Sequence, residues 1–207
     1  MQNFKKQVPR IISIATVLFI LMAGVLIGCS NHPTQEDESN MTSGSSQYEA
    51  REWINDDYDQ DNDLQENKNI ERKLPEFPDA TFQVREKQSF FEELTVTDAS
   101  GEKSLFQGMP ILNVYLADLT GDGLPDFCAT VAMGSGVIDT HVLVYDYAAD
   151  KEYLLEDRMV YDYALSLIDA RLIVSQSSWE SGEELATGDL AIIDGELVGI
   201  GIDRTIP

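Results

Sequence analysis

The chain has 207 residues, of which 37 are Asp or Glu and 14 are Lys or Arg, giving a formal net charge of −23. So acidic a surface repels nucleic acid and anionic headgroups; it suits divalent cations, cationic partners or, as the plainer reading of scattered acids, solubility alone. Two cysteines and two histidines exclude a disulfide-rich scaffold and leave few groups for thiol or imidazole chemistry.

The first element is a leader. Lys5, Lys6 and Arg10 precede an apolar run from Ile11 to Ile27, which ends in Leu26-Ile27-Gly28-Cys29. A basic start, an apolar stretch and a small residue before the cut form a secretory signal. The run of about 17 residues is at the short limit for spanning a bilayer. The final tetrad resembles the lipobox of bacterial lipoproteins. That resemblance implies cleavage before Cys29 and a diacylglyceryl group on its thiol, with acyl chains of the palmitate kind. Two or more chains suffice for stable anchoring. Residues 1–28 are thus expected to be a signal peptide, with the remainder on the extracytoplasmic face of the cell membrane. The leader holds three basic residues and no acid, so the part from Cys29 carries 11 basic against 37 acidic residues, a net −26. With Cys29 lipidated, Cys128 has no internal partner. It lies in the apolar stretch Phe127–Val131 and is expected to pack as a small buried hydrophobe.

Residues 29–76 read as an acidic, disordered tether, rich in Asn, Asp, Glu, Ser and Gln and sparse in apolar residues. Such a stretch buries too little surface to offset the entropy of folding. Trp53 and Ile54 are expected to dock only transiently. The run Asp56-Asp57-Tyr58-Asp59-Gln60-Asp61-Asn62-Asp63 alternates acids but lacks the glycine of a calcium loop, and reads as solvated linker.

From Phe77 to Pro207 one β-rich domain is expected. Apolar runs with period-two alternation recur at Phe82–Glu86, Leu94–Asp98, Leu112–Leu116, Phe127–Met133, His141–Asp146, Glu152–Leu155, Ala164–Ile168, Leu172–Gln176, Asp189–Ile193 and Leu197–Ile202. Turn residues separate them: Asp98-Ala99-Ser100-Gly101, Tyr147–Lys151, Asp169-Ala170-Arg171, and Asp194-Gly195, the two-residue hairpin signal. Strands this close in sequence pair with their neighbours. The expected fold is therefore mostly β, an antiparallel meander arranged as a partial propeller or as a sandwich of short strands. A weak helical turn is expected around Ser89–Leu94.

The segment that carries chemistry is Asp118-Leu119-Thr120-Gly121-Asp122-Gly123-Leu124-Pro125-Asp126. Oxygen-bearing side chains stand at its positions 1, 3, 5 and 9, with a glycine at position 6. Calcium is a hard ion that takes six to eight oxygens at about 2.3–2.6 Å. In a tightly wound loop, alternate residues turn their oxygens toward one centre. Asp118, Asp122 and Asp126 would be carboxylate ligands, Thr120 a weaker hydroxyl or water-bridged ligand, and Leu124 a carbonyl donor. Gly123 would take the sharp bend. Position 12 is Ala129, so the bidentate glutamate of a helix-loop-helix calcium hand is missing. The bare alternative is a metal-free turn, since Asp-Gly and Thr-Gly are good turn formers.

With a strand-like run on each side, this loop resembles the calcium loop of FG-GAP and VCBS repeats, single blades of extracellular β-propellers. The resemblance covers about one repeat, Val114 to Asp146. That family's pattern maps onto Asp118, Thr120, Asp122, Gly123 and Asp126, and Thr120 departs from its usual acid or amide. A propeller needs at least about four blades and the chain has room for about two, which excludes a complete one. More widely, Gly108-Met109-Pro110-Ile111 through Met133-Gly134-Ser135-Gly136 resembles a module of clostridial-type Firmicutes. It occurs there as free lipoproteins and as the extracellular tail of β-lactam-sensing membrane zinc peptidases. The peptidase motif His-Glu-x-x-His is absent, so that resemblance implies an accessory sensing or ligand-binding domain.

Other residues have plainer readings. Gly134-Ser135-Gly136 with Asp139 and His141 does not match a nucleophile elbow and reads as a hairpin loop. Tyr145, Tyr147, Tyr153, Tyr161 and Tyr163 offer flat contact area for sugar or peptide, or strand packing. Trp179-Glu180-Ser181-Gly182-Glu183-Glu184 reads as an exposed acidic loop able to take a cationic ligand. The leading expectation is a membrane-anchored, non-enzymatic binding or sensing module, stabilised by calcium, for a protein, peptide or glycan ligand. The alternatives are a metal-dependent surface hydrolase, recognisable by an open cleft beside Asp122, and a structural partner of a membrane complex. The last would show a broad exposed apolar patch near Leu105–Ile111.

Overall fold

The computed structural model describes residues 49–55, 69–88 and 90–204. The expected signal peptide, Cys29 and the acidic run Asp56–Asp63 lie outside these described residues. Among the described residues thirteen strands are formed: β1 (Arg51–Asn55), β2 (Asn69–Leu74), β3 (Phe77–Gln88), β4 (Phe91–Asp98), β5 (Gly101–Gly108), β6 (Ile111–Ala117), β7 (Asp126–Met133), β8 (Asp139–Asp146), β9 (Lys151–Leu155), β10 (Tyr161–Ile168), β11 (Arg171–Ser178), β12 (Glu184–Ile193) and β13 (Glu196–Ile200). Every pairing is antiparallel. Among the described residues no helix is long and apolar enough to cross a membrane.

The strands make three sheets: a front sheet β2-β3-β4-β5, a middle sheet β1-β6-β7-β8-β9 and a back sheet β10-β11-β12-β13. Apart from β1, each is a run of four consecutive strands, because each turn is too short to leave its own sheet. The result is a sandwich of short strands, with one more four-stranded unit than the chain length suggested.

The middle sheet is covered on both faces. Ile111, Val114, Leu116, Phe127, Ala129, Val131, Leu143 and Tyr145 pack toward the front sheet against Phe82, Val84, Leu94 and Val96. The intervening residues Tyr115, Ala117, Cys128, Val142 and Val144 pack toward the back sheet against Tyr163, Leu165, Leu172 and Val174. That is why β7 is an almost unbroken apolar run: a strand covered twice has no polar face to show. Phe82 and Phe127, both fully buried, meet with ring centroids 4.7 Å apart. Cys128 is fully buried and free, and burial pushes its thiol well above the ordinary range.

Three expectations are corrected. The stretch taken as tether contains β1 and β2, so the fold begins well before Phe77. β1 pairs with β6 through an irregularity between Glu52 and Ile54, which lets the adjacent Trp53 and Ile54 both enter the core, at 6 and 4% exposure. The docking is built in, and Trp53 stacks edge-on against Phe127. Second, the helical turn around Ser89–Leu94 is not formed from Phe91 on, where β4 begins; Leu94 pairs with Val84 and Phe106 on its two sides. Third, β5 occupies a segment where no strand was expected, its first half polar and exposed. Near Leu105–Ile111, where a structural partner of a membrane complex would show an exposed apolar patch, Leu105, Phe106 and Ile111 are buried.

Candidate functional site

The β6–β7 connection is the loop singled out by sequence. It opens at the last register pair, Ala117 with Asp126, and its backbone turns through Gly121 at φ 77° and Gly123 at φ 88°. Open space surrounds both glycines, but these left-handed conformations disfavour any Cβ. The bend assigned to Gly123 is therefore where the sequence placed it.

Two carboxylates reach into this loop from its ends. Asp118 accepts the Gly121 N–H at 2.6 Å on Oδ1 and the Gly123 N–H at 3.0 Å on Oδ2. Asp126 accepts the Leu119 and Thr120 N–H groups at 2.8 and 3.0 Å on Oδ2. Both are buried, Asp126 to 1% exposure. Burial holds the Asp126 carboxyl up at about 7; the two N–H donors pull it down, and the neighbouring Asp146 and Asp118 push it up again. Thr120 Oγ1 is buried without a hydrogen-bond partner. Such an orphaned oxygen is costly unless something ligates it.

The other two predicted ligands stand apart. Asp122 is exposed and closes its own small turn, accepting the Leu124 N–H at 2.8 Å. That contact also fixes Leu124. Among the described residues no three acidic, His or Cys side chains converge closely enough to hold a metal ion. Asp118, Asp126 and the Thr120 hydroxyl are the hard oxygens on this loop that are held inward by its own backbone or left buried.

Sequence reasoning missed Asp146. It ends β8, beside the paired Phe127 and Tyr145, and is 4% exposed. Pairing of β7 with β8 brings it to Asp126, and it accepts the Ala149 N–H at 2.8 Å. An apolar strand ending in Asp just before a turn was the available signal.

The residues named for hydrolysis are engaged otherwise. His141 is 1% exposed; its Nε2 lies 3.0 Å from Asp139 Oδ1 and its Nδ1 3.4 Å from Glu156 Oε2. The Nδ1 contact lacks hydrogen-bond geometry. Asp139 also accepts from Arg158 Nε and the Met159 N–H, at 3.2 and 3.3 Å. Ser135 stands exposed on the β7–β8 connection. A shallow cavity of about 480 Å³ lies between Phe77, Ala80, Asp98 and Tyr147, and none of the Asp118–Asp126 residues lines it.

The tyrosines are distributed rather than gathered on one face. Tyr145 is bonded to Lys103 and Asp150, Tyr147 donates to Asp98 at 2.8 Å, and Tyr161 and Tyr163 lie in the core of the back sheet. The chain matches no family model, and no curated protein or solved structure is significantly similar to it.

Proposed function

We propose that this chain is an extracytoplasmic binding module, held at the membrane by a lipid on Cys29 and stabilised by calcium in the β6–β7 loop. The leader and its Leu-Ile-Gly-Cys ending support the anchor. The observation that carries the metal reading is the pairing of a buried carboxyl, Asp126, with the orphaned oxygen of Thr120 in one glycine-bent loop. A divalent cation there would offset the repulsion among Asp118, Asp126 and Asp146 and satisfy the Thr120 hydroxyl. The role is structural: a ligand that binds only the folded loop stabilises it by mass action. The resemblances to FG-GAP-type repeats and to Firmicutes accessory modules point the same way, toward recognition rather than turnover.

Calorimetric melting of the full chain tests the metal reading. The midpoint should rise in millimolar calcium over chelator, by several degrees for roughly 2 kcal/mol of binding energy. Asp126→Asn should remove the rise, and Asp122→Asn, on its separate turn, should reduce it less. An identical midpoint with calcium and chelator would remove the metal and leave a turn held by its own N–H groups. For the anchor, cells fed labelled fatty acid should label the wild type and not Cys29→Ala; label in both would defeat it.

A further inference from the structure

Three loop tips meet at one place on the described surface. They are the β7–β8 tip at Gly134–Ile138, the β9–β10 connection through Arg158 and Met159, and the β11–β12 tip at Trp179–Glu183. Trp179 ties them together. Its backbone N–H donates to the Val160 carbonyl at 3.2 Å, and its indole Nε1–H donates to the Ile138 carbonyl at 3.3 Å. Around this tryptophan stand large apolar side chains in solvent: Ile138 at 58% exposure, Met159 at 56% and Val137 at 36%.

Scattered exposed apolar residues need no explanation, but a group on loops held to one another does. These tips are held. Gly134 has φ 141°, and a Cβ there would sit 1.7 Å from the Val137 carbonyl oxygen, so only glycine permits this presentation of Val137 and Ile138. Met159 takes a left-handed φ of 62° while its N–H is bound to the buried Asp139. Strain of that kind at an apolar, solvent-facing residue is a mark of functional sites.

The fringe decides the occupant. Glu180, Glu183 and Glu184 are exposed on the β11–β12 tip and the start of β12. The cation nearby in sequence, Arg158, is engaged with Asp139. The whole chain carries −23. A second copy would bring like charge against like charge, and an anionic lipid surface would be repelled. We infer that the Trp179 patch, with Val137, Ile138 and Met159 as its apolar floor and Glu180, Glu183 and Glu184 as its rim, docks a cationic peptide segment in which lysines or arginines flank apolar residues. Apolar side chains would cover the floor while the flanking cations meet the carboxylates, a division into apolar centre and polar rim usual for recognition surfaces. This deepens the binding reading above by naming a partner, and it does not use the Asp118–Asp126 loop.

The chain has two tryptophans, and Trp53 is buried in the core, so Trp179 reports on the patch. The full chain is titrated with a short synthetic peptide bearing a leucine pair flanked by lysines, and with its glutamate-for-lysine counterpart. Expected is a saturable change in emission with the lysine peptide only, absent in Trp179→Phe. By calorimetry, Ile138→Ser with Met159→Ser should weaken binding at least about tenfold. Glu183→Lys, on an exposed turn, should weaken it without touching the core, and added salt should weaken wild-type binding. Binding that persists in chelator keeps the patch even where the calcium reading fails. Equal response to the glutamate peptide, unchanged affinity in both variants, no saturable binding, or binding to anionic vesicles or self-association in place of the peptide would overturn the inference.

Discussion

Tyr163 shows how much one buried hydroxyl can organise. It is fully buried, donates to Asp157 Oδ2 at 2.5 Å and accepts from Gln176 Nε2 at 3.2 Å. Asp157 is also held by Arg204 Nε at 2.8 Å, which ties the end of the described chain to the β9–β10 connection. Burial, and then the Asp157 carboxylate, push the Tyr163 phenol up to about 12. The unfolded value is about 10, so the fold retains the proton that the open chain releases. Stability from this group is therefore complete below about pH 10 and lost as pH climbs through about 12, a loss on the order of 2–3 kcal/mol. Tyr163→Phe should cost about 1–2 kcal/mol near neutrality, because it removes the hydroxyl shared by Asp157 and Gln176 and leaves Gln176 Nε2 with the Asp203 carbonyl at 3.4 Å. The gap between wild type and variant should close in urea melts carried from pH 9 toward pH 12. A gap that stays constant across that range would show that the phenol keeps its ordinary titration in the fold.

At the scale of elements, the turns carry the clearest local signals, and one of them is imperfect. Ile168 pairs with Arg171 and Ile193 with Glu196, so Asp169-Ala170 and Asp194-Gly195 are both two-residue hairpin loops. All four residues have positive φ: 50° and 59° in the first, 53° and 82° in the second. Glycine accepts that conformation freely, whereas alanine is strained by its Cβ. Ala170 is exposed, so Ala170→Gly changes no packing. It should stabilise the protein by roughly 0.5–1 kcal/mol, the relief of strain exceeding the added freedom of the open chain; a lower midpoint for the variant would refute the turn geometry. Most other elements were also legible, because β3, β4 and β6–β13 contain apolar alternation or runs. Three were not. β1 and β2 sit in acidic sequence and take much of their order from partners far along the chain or across a turn, β1 from β6 and β2 from β3. The exposed first half of β5 hides its pattern, since Gly101 to Ser104 bury nothing. In the candidate site, Asp118, Thr120, Gly123 and Asp126 could be found from spacing in one loop. Asp146 could not, because only the β7–β8 pairing places it there.

For the molecule as a whole, the middle sheet is the element on which both others depend. Its front face takes the aromatic set of Trp53, Phe82 and Phe127, and its back face takes Tyr163, Leu165 and Val174. Polar clips cross the back interface as well. Asn113 Nδ2 donates to the Leu165 carbonyl at 3.3 Å, the Leu165 N–H donates to Thr130 Oγ1 at 2.9 Å, and the Thr140 N–H donates to Asp162 Oδ1 at 2.7 Å. Losing either outer sheet would expose one face of strands that have no polar face, and on the back side would strand buried hydrogen-bonding groups. No layer has a core of its own, so the three sheets should unfold in one transition. The two tryptophans make this measurable, because Trp53 reports on the middle and front sheets and Trp179 on the back sheet. In Trp179→Phe and Trp53→Phe, the fluorescence midpoint in urea should coincide with the far-ultraviolet circular dichroism midpoint of the same variant. Replacing the Trp53 indole lowers the midpoint of that variant but moves both of its signals together. If the Trp179 signal instead changes at lower urea than the dichroism, the back sheet is released first, and the clips through Asn113, Thr130 and Asp162 are weaker than the packing that joins the middle and front sheets.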